Sequence, residues 1–203
     1  RANVLWANPA VLKKAGITKM PTKWAEFIVA LNKAKAAGVI PLALGEQWTQ
    51  KHLLETVMIA TIGPARWAAL WKTGQGWGTP GVTLALNRYK TLLTYTNSDA
   101  ASLTWQDASK LVADGKAAFN IMGDWADGYF SGTKKGGNLA LKPGTGYGWA
   151  PVPGTANVYD WPGPGPAVIR IAGVPYVTRV LIRRPADKAR FSGNAIVEML
   201  NPS

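Results

Sequence analysis

Trp105 and Trp125 hold matching places in the stretch from Leu103 to Phe130, LTWQDASKLVADGKAAFNIMGDWADGYF. Each falls in the first turn of a predicted helix, where backbone N–H groups lack intrahelical acceptors. Asp124 directly precedes Trp125 and brings a carboxylate to the same place. Indole faces stack on C–H surfaces, while a carboxylate and free N–H groups exchange hydrogen bonds with hydroxyls. A sugar ring needs both at once. Two plainer roles compete: a tryptophan taken singly is an ordinary core filler, and Asp124 suits the N-cap of the helix that follows it.

Little else in the chain is equipped for chemistry. Cysteine is absent, which excludes disulfides, thiol catalysis and cysteine zinc sites. The one histidine, His52, lies in a helical region and reads as a surface or helix-side residue, since no partner serine is marked. There is no G-x-S-x-G, phosphate loop or metal-ligand cluster. The expectation is a binding protein, not an enzyme, with no catalytic residue, no metal and no cofactor.

The elements that must position these groups are legible. Thr104 and Asp107 form a capping box, Ala108, Leu111 and Val112 make the apolar stripe behind it, and Gly115 ends that helix. Ala117 to Met122 is a short apolar strand, and Gly123-Asp124-Trp125 breaks it and opens the next helix. Upstream, Asn3 to Trp6 is a strand and Pro9 starts a helix closed by Gly16. Trp24, Phe27, Ile28 and Leu31 keep an i, i+3, i+4, i+7 face in a helix that Gly38 ends. Val39 to Leu44 is a buried strand, and Gly45-Glu46-Gln47-Trp48 is the loop beyond its C-terminal end, where ligands sit in α/β proteins. Three helices follow, the last opened by Thr79-Pro80. The fold class expected is α/β and helix-rich, with Leu42, Trp24, Phe27, Leu111 and Phe119 buried.

The 203 residues suffice for one large domain or two small ones, and 47% hydrophobic with 17% charged is a globular balance. No run approaches the roughly 20 apolar residues of a membrane span, and no signal pattern opens the sequence. Lys+Arg 23 against Asp+Glu 11 gives +12. The bases are mostly spread singly along helix faces, with one cluster at Arg179, Arg183, Arg184, Lys188 and Arg190, and no nucleic-acid motif accompanies them. No nucleic-acid partner is expected.

NVLWANPAVLKKAGI followed by MPTKWAEFIVALNKAKAAGVIPLALG resembles the start of the second lobe of a sugar ABC-transporter solute-binding protein, of the glucose-binding type. TWQDASKLVADGKAAFNIMGDWADGYF and YGWAPVPG continue the same pattern, so the likeness covers residues 1–153 in order. It implies a periplasmic-binding-protein-like lobe of a periplasmic or extracellular protein, soluble or lipid-anchored. Such a protein closes on a monosaccharide such as glucose and delivers it to an ABC transporter permease. Trp105 and Trp125 would then be aromatic platforms, Asp124 would take hydroxyls, and Gln47 and Trp48 would lie at the cleft. It also implies another lobe, of roughly one hundred residues, that this sequence does not contain.

After Gly154 the pattern changes. Pro162 to Pro166 is a proline–glycine break, and Ala167 to Ala172, Tyr176 to Arg183 and Ala195 to Leu200 read as strands. YVTRVLIRRPADKARFSGNAIVEMLNPS resembles the first strands of an alpha/beta-hydrolase-domain protein. The chain therefore reads as an incomplete sugar-binding lobe, 1–153, joined to a β-rich hydrolase-like segment, 154–203. The alternatives are a fragment of a hydrolase-fold enzyme and an engineered chimera without natural activity. Unpaired strand edges in the tail are expected either to extend the first domain's sheet or to pair with another chain.

Overall fold

The computed structural model describes residues 3–155 and, beyond them, the backbone of Tyr159–Asp160, Val168–Ile169, Val180–Arg183 and Ile196–Met199. Strand β1, Asn3–Ala7, is NVLWA, apolar on both faces because both are covered. Leu5 and Ala7 join a cluster with Phe27, Leu31, Leu42 and Phe119. Val4 and Trp6 join a second with Met122, Phe130 and Tyr147. Strand β3, Ala117–Gly123, is buried throughout for the same reason.

β1 runs antiparallel between β3 and β4 (Gly148–Pro151), with Leu5 opposite Ile121 and Trp6 opposite Trp149. β2 (Ile40–Ala43) lies parallel on the other side of β3, giving the order β2-β3-β1-β4. The C-terminal ends of β2 and β3 therefore point the same way, toward the residues that begin two helices.

The helices are α1 (Pro9–Lys14), α2 (Trp24–Ala36), α3 (Gln47–Ile62), α4 (Pro64–Thr73), α5 (Pro80–Leu93), α6 (Trp105–Ala113) and α7 (Ala126–Ser131). α2 buries Phe27, Ala30, Leu31 and Ala34, a stripe at helical spacing. Asn8 caps α1 by accepting from the N–H groups of Ala10 and Val11, and its amide donates to Val112 O at 2.8 Å. One side chain thus starts one helix and holds the end of another. The mixed α/β class is as expected.

Two expected core residues are only half-buried, Trp24 and Leu111, whereas Leu42, Phe27 and Phe119 are fully enclosed. Trp24 opens α2, where its indole serves as the platform under Arg88. Leu111 belongs to a small cluster beside Val112 and Ala117.

Beyond residue 155, β5 (Tyr159–Asp160) and β6 (Val168–Ile169) form an antiparallel pair within a first compact unit, Arg1–Arg170. In the second unit, Ile171–Ser203, β7 (Val180–Arg183) pairs antiparallel with β8 (Ile196–Met199). β6, β7 and β8 lie inside the three predicted strands, whose remaining residues, like the Pro162 to Pro166 break, fall outside the described residues; β5 matches none of the three. The tail strands were expected either to extend the first domain's sheet or to pair with another chain; among the described residues β5 pairs with β6 and β7 with β8, each in a two-stranded sheet separate from the four-stranded one.

Candidate functional site

Three indoles from three helix starts meet at the C-terminal ends of β2 and β3. Trp125 sits at the centre. Its ring centroid is 4.4 Å from that of Trp105, nearly perpendicular, and 6.0 Å from that of Trp48. Tyr129, one turn along α7, packs on the far side of Trp105 at 5.3 Å. All four rings are half-buried, so each keeps exposed surface.

The loops before α3 and α6 are stitched together to bring this about. Glu46 N donates to Leu103 O at 2.8 Å, and Glu46 Oε1 accepts from Trp105 N at 3.3 Å. Asn97 holds the preceding residue by accepting from Leu44 N and donating to Leu44 O. Thr104 and Asp107 form the predicted capping box, so Trp105 begins α6 in a fixed orientation.

Two glycines permit the approach. A Cβ at Gly45 would lie 3.0 Å from the carbonyl oxygens of both Leu103 and Thr104. One at Gly123 would collide with the Trp125 indole, which folds back over that residue. Gly45→Ala is expected to push the start of α3 from that of α6 and cost about 1–3 kcal/mol of stability. Thermal unfolding, with near-UV circular dichroism of the coupled indoles, measures it; an unchanged spectrum and midpoint would contradict the close approach.

Of the five residues singled out from the sequence, Trp48, Trp105 and Trp125 come together. Asp124 sits beside them, half-buried. It is not the N-cap of α7, because Trp125 occupies that position and no side chain caps the helix. The Asp124 carboxylate makes no hydrogen bond or ion pair with any described residue, which leaves both oxygens as acceptors. Gln47 and Trp48 were assigned to a loop, but they form the first turn of α3, and Gln47 is exposed. The helix begins early although Glu46 supplies no side-chain cap; Thr49 provides the turn instead, accepting from Gly45 N and donating to Glu46 O.

Sequence reasoning missed Glu46 and Tyr129, and did not connect His52 with Trp48. Glu46 stood in the GEQW run, and Tyr129 recurs at i+4 from Trp125, a spacing that could have found it. His52 was set apart as a helix-side residue, yet its ring packs edge-to-face against Trp48 at 5.1 Å. Burial pushes its pKa below the usual 6.5, and Glu55 opposes that only in part. The unfolded chain therefore takes up this proton first. The stability that neutral His52 contributes is present above pH about 6.5 and declines as pH falls through the lowered value. A pH series of unfolding midpoints should show a decline on acidification that His52→Gln flattens.

Among the described residues no group of His, Asp and Glu could hold a metal, and no helix is long and apolar enough to cross a membrane.

Residues 144–203 match the family model for an alpha/beta hydrolase domain. The larger part of the chain matches something else. It is 36% identical over 163 residues to an uncharacterised ABC transporter extracellular-binding protein of Pyrococcus horikoshii, covering 79% of this chain and 35% of that protein. It is 35% identical over 156 residues to the "Probable sugar-binding periplasmic protein" of Mesorhizobium japonicum, covering 75% and 36%. A solved chitin oligosaccharide binding protein superposes with TM-score 0.64 at 26% identity, over 74% of this chain and 38% of that one. The fold is that of a solute-binding-protein lobe. The chain spans only about a third of the length of the relatives it matches. Those relatives are substrate-binding proteins, and in this lobe the three indoles lie where β2 and β3 end, the side on which open α/β sheets receive ligands.

Proposed function

We propose that this lobe binds a carbohydrate on the surface made by Trp48, Trp105 and Trp125, as the ligand-binding part of an ABC-type sugar uptake system. One observation carries the reading. Three half-buried indoles converge from separate helix starts beside the unpaired carboxylate of Asp124. Sugar C–H faces stack on Trp125 and Trp105, while Asp124 and Gln47 take hydroxyls. Glu46 is held in place by its bond to Trp105 N and acts as a positioning residue. The ligand is a glucose-like monosaccharide; the protein works outside the cytoplasm, in the periplasm or at the cell surface, and its partner is the membrane permease of the transporter. The names of the sequence relatives support the sugar class.

Binding is the whole of the activity, with no catalysed step; the hydrolase-like match over 144–203 keeps a hydrolase fragment as the competing reading. A single lobe leaves the site open to water, so its hydrogen bonds compete with solvent. Binding of about 4 kcal/mol corresponds to a millimolar dissociation constant, and that is the affinity expected of this chain alone. Saturation-transfer NMR with glucose, galactose and a disaccharide tests it. The expected result is transfer from indole protons and a millimolar fit. No transfer from a folded chain at concentrations far above millimolar would remove the proposal, as would turnover of a p-nitrophenyl ester abolished by changing His52.

The outer edges of β7 and β8 suit pairing with a second chain, a proposal that light scattering across a concentration series decides.

A further inference from the structure

A concave site lies apart from the indole surface. A cavity of about 230 Å³ opens between α2, α3 and α5, and its lining includes none of the residues proposed for carbohydrate. The floor is apolar, with Phe27, Val57 and Leu92. Its polar members are Thr22, Lys23, Thr61 and Arg88, and no acidic residue lines it.

Arg88 is the unusual member. Its guanidinium lies over the Trp24 ring, 5.0 Å from the centroid, which fixes the plane of the fork. Nη1 donates to Thr61 Oγ1 at 3.1 Å. Nε is buried and has no hydrogen-bond partner among the described residues, and no described residue bonds Nη2. No described carboxylate pairs with this arginine. The sequence reinforces the point: from Thr56 to Ser98 there is not one Asp or Glu, while Arg66, Lys72, Arg88 and Lys90 all fall there.

A guanidinium stays charged at any ordinary pH and cannot relieve burial by losing its proton. A buried N–H without an acceptor is costly, and the edge left open, Nε with Nη2, is the one that takes a carboxylate side-on through two parallel hydrogen bonds. Arg88 lines the cavity, whose Phe27 and Leu92 floor has room for a few methylene groups.

We propose that Arg88, with Thr61 and Trp24, forms a carboxylate-binding pocket that takes a carboxylate on a short hydrocarbon stem. Trp24 and Thr61 hold the fork, the Nε–Nη2 edge binds the two oxygens, and the apolar floor receives the stem. The carboxylate is that of a free small acid.

The test uses the full chain. Propionate and glutarate are titrated by calorimetry and thermal shift, with sodium chloride and sulfate at matched ionic strength. Saturable binding of the carboxylates alone is expected. Arg88→Lys, which keeps charge and stem but loses the fork, should weaken it by about tenfold or more. Thr61→Val, which frees Nη1, should weaken it less. The proposal is overturned if carboxylates act no differently from chloride and sulfate. It also fails if carboxylate binding survives Arg88→Lys unchanged.

Discussion

Trp125→Ala will abolish detectable carbohydrate binding while leaving the chain folded. Trp125 touches both other indoles, so its removal takes away one stacking face and the support of two more. Losing such a platform costs about 1–3 kcal/mol. From a millimolar start, that moves the dissociation constant by roughly one to two powers of ten, beyond the range of a practical titration. Trp125→Phe should recover part of the affinity, because a smaller ring still stacks. Trp71→Ala is the control, since that exposed side chain belongs to a different aromatic cluster with Trp67 and Trp77. Unaltered binding by the Trp105→Ala/Trp125→Ala chain would place the site elsewhere.

Trp6→Ala is expected to cost the most stability, about 3–5 kcal/mol, the range for emptying a large aromatic site in a core. Trp6 is wholly enclosed, and its indole N–H donates to Met122 O at 3.2 Å. It packs on Phe130 at 5.1 Å and on Tyr147 at 5.8 Å between ring centroids. Phe130 and Tyr147 in turn stack at 5.0 Å, and Tyr147 Oη donates to Asp127 at 2.5 Å. The substitution leaves a cavity, strips Met122 O of a donor, and loosens the layer that seats α7. Denaturant unfolding gives the number. A loss below about 1 kcal/mol would mean that the neighbours close over the gap.

Much of this arrangement was legible from local signals, because those signals are local physics. The Thr104–Asp107 box and the α2 stripe each need only a few neighbouring residues to act; the box forms as read, and the stripe forms with Phe27 and Leu31 buried while Trp24 and Ile28 stay partly exposed. What was not legible depended on distant partners. Glu46 acquires its role from Trp105 N, far along the chain, and nothing in GEQW announces that acceptor. His52 gains its lowered pKa from the packing around α3, not from its sequence neighbours alone. Asp124 looked like a helix cap by type and position, but α7 starts one step later and leaves the carboxylate free. For the Trp105–Trp125 contact, the sequence showed both rings at helix starts; the parallel β2–β3 pairing sets the end of β2 beside Trp125, and Glu46, bonded to Leu103 O and Trp105 N, brings the start of α6 there.

The place of β1 also has a consequence for the order of assembly. This strand is made before both of the strands it pairs with among the described residues, β3 and β4, and the Trp6 indole waits for Met122, 116 residues later. During synthesis NVLWA is therefore an apolar strand with both edges open until most of the lobe has emerged. Helices built from near neighbours form first, and closing the sheet around β1 is the late, slow step. Refolding followed by Trp6 burial should lag behind refolding followed by helix content, and a chaperone that holds extended apolar segments should act on this chain before β3 is complete.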